Sequence, residues 1–217
     1  MAKSNAQDAF SLARRNMVSS QLEGRGIRDR RVLEVMSRVP RHVFVEEGLW
    51  SKAYGDHALP IGFGQTISQP YVVARISELL RLKGDEKILE VGLGSGYHAA
   101  VLSRLGRAVF AVERIPRLLE KGRAALSLLG MSNVVVRLGD GRVGWKSFAP
   151  FDRIVVSAAA SEVPTALLEQ LEEAGVLVMP VGSSEEQRLV VVEKRGEKLL
   201  RREIEPVRFV PLVGQAS

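Results

Sequence analysis

The sequence predicts an α/β fold: a doubly wound, mostly parallel Rossmann-like sheet with an N-terminal helical extension and a C-terminal antiparallel hairpin. Three observations carry this expectation. Between residues 83 and 182, short runs of almost wholly apolar residues recur, and strands that apolar are buried on both faces, as parallel strands are. Helical segments of about 10 to 15 residues separate the runs, which is the rhythm of βαβ units. A glycine-rich turn, Gly92-Leu-Gly-Ser-Gly96, joins the first run to the helix behind it, at the carboxyl end of a strand where open α/β sheets bind ligands.

Taken in order, Ala6 to about Arg25 reads as a helix. A second helix follows with Asp29 as its N-cap, Val32, Leu33, Met36 and Val39 forming its apolar stripe, and Pro40 ending it. Tyr54 to Gln69 is glycine-punctuated and reads as a long loop, and loops of that length inside a domain are usually functional or disordered. Pro70 opens a helix that carries Val72, Val73, Ile76, Leu79 and Leu80 and ends near Gly84. The core then runs strand Lys87 to Val91, helix Tyr97 to Leu105 closed by Gly106, strand Ala108 to Val112, and a helix from Pro116 to Gly130. Strands Val134 to Leu138 and Arg153 to Ser157, helix Pro164 to Leu171 and strand Val176 to Val181 complete it. Leu189 to Glu193 and Lys198 to Ile204 flank an Arg195-Gly196 turn, the expected hairpin.

Composition narrows the function. With 217 residues, 46% hydrophobic and 26% charged, the chain has the balance of one globular domain able to bury its own core. It contains no cysteine, which removes disulfide scaffolds, zinc ribbons, iron–sulfur clusters and thiol nucleophiles together. No apolar run approaches a membrane span, and the N-terminal residues lack the apolar core of a signal peptide, so a cytoplasmic protein is expected. The net charge of +6 comes from scattered basic residues, and only 6% of residues are aromatic, so a nucleic-acid partner is not expected. His42, His57 and His98 fit no metal-ligand spacing, so no metal is expected either.

The glycine turn carries the chemistry. Its three glycines let the backbone approach a ligand, and Glu113 stands 21 residues past Gly92 at the end of the second strand, where a carboxylate reaches ribose hydroxyls. The nicotinamide fingerprint needs glycine where Tyr97 stands, a P-loop needs a lysine that is absent, and a nucleophile elbow needs glycines at Leu93 and Tyr97. The shorter Gly-x-Gly-x-Gly spacing resembles class I methyltransferases, which bind S-adenosylmethionine. Asp140, in Leu138-Gly-Asp-Gly141 after the third strand, is placed to accept the adenine amine, although Asp-Gly is also an ordinary turn pair. Ser157-Ala-Ala-Ala160 lacks the aromatic and proline residues with which base-directed methyltransferases hold an extruded base.

Further motifs extend the likeness over nearly the whole chain. The loop Gly64-Gln-Thr-Ile-Ser-Gln-Pro70 precedes Glu90 to Tyr97, with Val39-Pro-Arg-His42 and Leu59-Pro-Ile-Gly62 before it and Phe151-Asp-Arg-Ile154, Pro180-Val-Gly182 and Arg208-Phe-Val-Pro-Leu212 after it. Together they resemble the protein-L-isoaspartate O-methyltransferase family, which repairs isomerised aspartyl residues. The resemblance implies one methyltransferase domain over 1–217: N-terminal helices and an active-site loop in 1–82, a cofactor-binding core in 83–182 and C-terminal strands in 183–217. It implies S-adenosylmethionine as cofactor and isoaspartyl-containing peptides and proteins as partners, and the protein is expected to be a monomer. Ser68 is implied as the catalytic residue, and Gln65, Thr66, Ile67, Ser68, Glu90, Gly92, Gly94, Gly96, Glu113, Asp140 and Gly141 as cofactor-binding. Ser68 and Val210 are implied to bind substrate, Val210 through main-chain groups offered to an extended peptide. Without the resemblance, Ser68 reads as a residue near a helix start. The competing expectations are a class I methyltransferase of RNA or a small molecule, and a non-catalytic peptide-binding member of the fold.

Overall fold

The structure, a computed structural model, describes residues 10–214. Helix α1 (10–16) passes into a π-helical turn, Met17–Leu22, and a 3-10 turn, Glu23–Arg25. The expected start of this helix at Ala6 lies outside the described residues. Gly26 ends it at φ 99°, a left-handed conformation that glycine adopts without strain. Asp29 then caps α2 (Arg30–Arg38), its side chain accepting the N–H groups of Arg31 and Val32.

The segment expected as one long loop contains a hairpin. β1 (Leu59–Gly62) pairs antiparallel with β2 (Gln65–Ile67) in a sheet of its own, with Leu59 opposite Ile67 and both buried. Two short strands holding Pro60, Gly62 and Gly64 have almost no periodicity to read, so tertiary burial of Leu59, Ile61 and Ile67 decides the outcome. Directly behind it α3 (Pro70–Leu79) starts on Pro70, whose missing N–H is no loss at a first-turn position.

The main sheet has seven strands. β3 (Lys87–Val91), β4 (Ala108–Glu113), β5 (Val134–Leu138), β6 (Phe151–Val156) and β7 (Leu171–Gly182) are parallel, while β8 (Gln187–Arg195) and β9 (Lys198–Val207) complete it antiparallel. Their order is β5-β4-β3-β6-β7-β8-β9. Helices α4 (Tyr97–Leu105) and α5 (Pro116–Leu128) lie between the first parallel strands as expected. The expected helix Pro164 to Leu171 shrinks to α6 (Thr165–Leu168), because Leu171 is claimed by β7, where it is buried opposite Phe151.

Successive residues of the parallel strands face opposite layers, which is why both layers must be apolar. Ile88, Val109, Ala111 and Val155 pack with α2, α3, α4 and α5; Leu89, Val91, Phe110, Val112, Ile154 and Val156 pack with Trp145, Phe151 and Leu167 on the far side. Each fully buried aliphatic side chain contributes about 1.5 to 3 kcal/mol, so the central strands rank among the most firmly held parts of the molecule. Their carboxyl ends form a rigid rim, and the chain's polar constellations collect there. Among the described residues, no helix is long and apolar enough to cross a membrane.

Candidate active site

Two clefts meet at this rim. The first is walled by the glycine turn, the ends of β3 and β4, the loop 65–68 and residues 210–213. The second is a groove between α3 and the chain leaving β9, with Arg25, Tyr71, Arg75, Glu205 and Arg208 on its walls. Thr66, Ser68, Ser157 and Val210 belong to both.

The first cleft is built to accept a ligand with hydroxyl and cationic groups. Gly92 and Gly94 hold φ 90° and 54°, turning the backbone sharply where β3 ends. Glu113 holds the turn in place: one carboxylate oxygen accepts the Gly94 N–H at 2.8 Å, and the other accepts the N–H groups of Arg114 and Ile115 at 2.9 Å each. A carboxylate has about four acceptor positions, so the oxygen toward Gly94 keeps one for a ligand hydroxyl.

Glu90 lies deeper. It is wholly buried, and neither carboxylate oxygen has a hydrogen-bond partner among the described residues. Burial, and then the negative charge of Glu113, push its carboxyl well above the usual carboxylate range. His98 on α4 faces it with Nδ1 at 4.0 Å, and burial lowers the imidazole to about 3. The Ser77 hydroxyl donates to the Val73 carbonyl at 2.8 Å and lies 3.2 Å from Nε2 of His98. Nε2 is therefore the nitrogen that carries the proton, and Nδ1 turns its lone pair toward Glu90.

In the groove, two of the three lining arginines are paired with carboxylates. Arg75 binds Glu205 at 2.9 Å and Glu78 at 2.8 Å, and the Tyr71 hydroxyl donates to Glu205 at 3.2 Å. The Arg25 guanidinium lies 3.7 Å from the centre of the Tyr71 ring and pairs with Asp56 at 2.8 Å. Arg208 is exposed and forms no ion pair among the described residues.

Comparison with known proteins follows this geometry. Residues 13–217 match the model of the family described as Protein-L-isoaspartate(D-aspartate) O-methyltransferase. The chain belongs to the protein-L-isoaspartate (D-aspartate) O-methyltransferase family. It is 52% identical over 206 residues to protein-L-isoaspartate O-methyltransferase 1 of Syntrophobacter fumaroxidans, covering 95% of this chain and 96% of that one. Among solved structures it resembles a protein-L-isoaspartate O-methyltransferase with TM-score 0.84 and 30% identity, over 92% of this chain and 66% of that one. A Plasmodium falciparum beta-aspartate methyltransferase in complex with S-adenosyl-L-homocysteine gives TM-score 0.79 and 26% identity, over 92% and 98% of the two chains. The chain is thus a methyltransferase that uses S-adenosylmethionine.

Within this methyltransferase, the residues singled out in the sequence take distinct places. Gln65, Thr66, Ile67, Ser68, Glu90, Gly92, Gly94, Glu113, Gly141 and Val210 line the first cleft. Gly96 stands behind it: a side chain there would meet the Gly122 carbonyl at 3.2 Å, so this glycine seats α4 against α5. Asp140 is not on the lining, and its carboxylate accepts the Arg142 backbone N–H at 2.8 Å and pairs with that guanidinium at 2.8 Å. Ser68 does not cap α3. Gln69 holds the cap position, its side chain bound to Asp56, and the Ser68 hydroxyl has no partner among the described residues. The Val210 carbonyl accepts the Ala159 N–H at 2.8 Å, and the Leu212 N–H donates back to the Ala159 carbonyl at 2.7 Å. Residues 210–212 thus bridge to the loop after β6, and the Val210 N–H has no partner among the described residues. Ser157 went unassigned in the sequence; the available signal was a small polar residue at the carboxyl end of a parallel strand.

Proposed function

We propose that the first cleft holds S-adenosylmethionine, that the groove holds an extended peptide bearing an L-isoaspartyl residue, and that the α-carboxylate of that residue is methylated where the two clefts join. One observation carries the reading: Ser68, its hydroxyl uncommitted, lines both clefts at once.

The residues present fit the cofactor. Glu90 supplies an orphaned buried carboxyl, Glu113 a spare acceptor position, and Gly92 and Gly94 a backbone with no side chains in the way. S-adenosylmethionine supplies an electrophilic methyl group that leaves sulfur as a carbon–oxygen bond forms. The protein's share is alignment and exclusion of water, since the acceptor and its target carry opposite charges. No general base is required. A carboxyl group of pKa roughly 3.5 to 4 is already ionised near neutral pH. Ser68 donates to the carboxylate oxygen that is not methylated, and so turns the other oxygen toward the cofactor. Arg208, without an ion-pair partner among the described residues, offers the groove a cation for a displaced carboxylate, and the Val210 N–H offers one main-chain contact to an extended backbone. The methyl ester closes to a succinimide through the following amide and reopens in part as normal aspartate, which makes the reaction a repair.

The test uses methyl-labelled S-adenosylmethionine and two peptides identical except for an L-isoaspartyl or an L-aspartyl residue. Base-labile ester is counted as released methanol. Labelling of the isoaspartyl peptide alone is expected; equal labelling of both, or of neither, would overturn the reading.

A further inference from the structure

We propose that Ser157 is a second substrate-touching hydroxyl, acting with Ser68 to hold the isoaspartyl carboxylate by its non-reacting oxygen. The inference rests on the proposed function and deepens it.

The reaction must occur at the opening shared by the clefts, and among the described residues only Thr66, Ser68, Ser157 and Val210 line both. Val210 brings an apolar side chain and one N–H. Thr66 is exposed on the outer side of the opening, whereas Ser68 and Ser157 are half-buried. Neither serine hydroxyl has a partner among the described residues. Ser157 is also rigidly placed. It directly follows β6, its N–H donates to the Val91 carbonyl at 2.8 Å, and a side chain built at Gly92 would come within 3.6 Å of its Cβ. Two residues further on, Ala159 is stitched to 210–212. The hydroxyl therefore stands on the floor of the opening beside the first glycine of the cofactor turn, across from a Ser68 carried by the hairpin.

A carboxylate oxygen accepts two hydrogen bonds. Two hydroxyls on the non-reacting oxygen fix the carboxylate plane, which one donor cannot do, and they leave the reacting oxygen's electron pairs free. Because the carboxylate loses its charge on becoming an ester, such bonds are stronger in the bound substrate than in the product. They serve peptide capture and orientation, and they release the ester. An uncommitted serine with only a packing role would show no preference for a charged acceptor.

The experiment measures peptide binding by calorimetry with S-adenosyl-L-homocysteine present, alongside steady-state turnover. Ser157→Ala should weaken an L-isoaspartyl peptide about tenfold, leave S-adenosyl-L-homocysteine affinity within about twofold, and leave unchanged the weak binding of the same peptide with its α-carboxylate converted to an amide. Ser157→Thr, which keeps a hydroxyl, should recover most of the loss. Equal weakening of both peptides, loss confined to S-adenosyl-L-homocysteine, or failure of threonine to recover binding in a variant that melts like the parent would each overturn the proposal. If the unsubstituted protein fails to distinguish isoaspartyl from aspartyl peptide, the proposed function falls instead.

Discussion

Nδ1 of His98 faces a carboxylate oxygen of Glu90 at 4.0 Å, with both side chains buried at the base of the first cleft. The pair is not an ion pair near neutral pH. Burial drives the imidazole down to about 3, which keeps it neutral, while burial and then Glu113 drive the Glu90 carboxyl well above the usual carboxylate range.

That arrangement sets opposing pH dependences. The unfolded imidazole takes up a proton below its ordinary value of about 6.5 and the folded one does not. The contribution of His98 is thus complete above that value and is lost progressively as pH falls toward 3. Glu90 runs the other way: the folded carboxyl keeps its proton above the ordinary 4.5, so its contribution is lost as pH rises from there. In denaturant unfolding between pH 6 and 5, the parent should lose about 1 kcal/mol more than His98→Gln, since a full pH unit is worth about 1.4 kcal/mol. An identical pH slope in the variant would refute the assignment.

Ser68→Ala should lower turnover on an isoaspartyl peptide by about 10- to 100-fold, the range for one hydrogen bond to a charged group. Cofactor affinity should barely change, because the proposed partner of the hydroxyl is the acceptor carboxylate. Parallel loss in both quantities would reassign Ser68 to cofactor packing.

Glu113→Ala should weaken cofactor binding by about 1.5 to 3 kcal/mol. It should also loosen the turn, since the Gly94, Arg114 and Ile115 N–H groups lose their acceptor. Calorimetry together with amide exchange at Gly94 tests both effects. Unchanged affinity with faster exchange would make Glu113 a structural brace only.

Gly122→Ala inverts an ordinary rule. Alanine in a helix interior is worth about 1 kcal/mol over glycine, yet here a Cβ would sit 2.9 Å from Leu93 Cδ2 and 3.3 Å from the Gly94 carbonyl. Crowding of this kind costs about 1 to 3 kcal/mol, so the melting temperature should fall and cofactor affinity with it, as the turn is pushed from behind. A rise in melting temperature would show that Leu93 yields freely.

The parallel core was legible because strands buried on both faces are apolar at every position: β3 and β5 run over the residues expected, and Pro70 and Pro116 open their helices. The hairpin β1–β2 was not. Four and three residues give too little pattern, and its stability comes from Leu59, Ile61 and Ile67 meeting a core that is distant in sequence. The long β7 was read only in its apolar half, because Glu172, Glu173, Ala174 and Gly175 break the run and the register against β6 shifts there. A local motif marked the glycine turn, whereas Ser68 was marked only through the family resemblance. Ser157 escaped because its importance comes from residues 210–212 folding back beside it, a relation that no spacing expresses.

The outermost strand β9 carries Lys198, Arg201, Arg202, Glu203, Glu205 and Pro206, and the opposite edge, β5, is five residues long and includes Arg137. Charged, short or proline-bearing borders resist the pairing of a stray extended chain. A repair enzyme meets clients that are aged and locally unravelled, and such chains seek unpaired backbone wherever they find it. Borders of this kind are poor templates for a stray client chain, so an extended segment has little to pair with at either edge of the sheet.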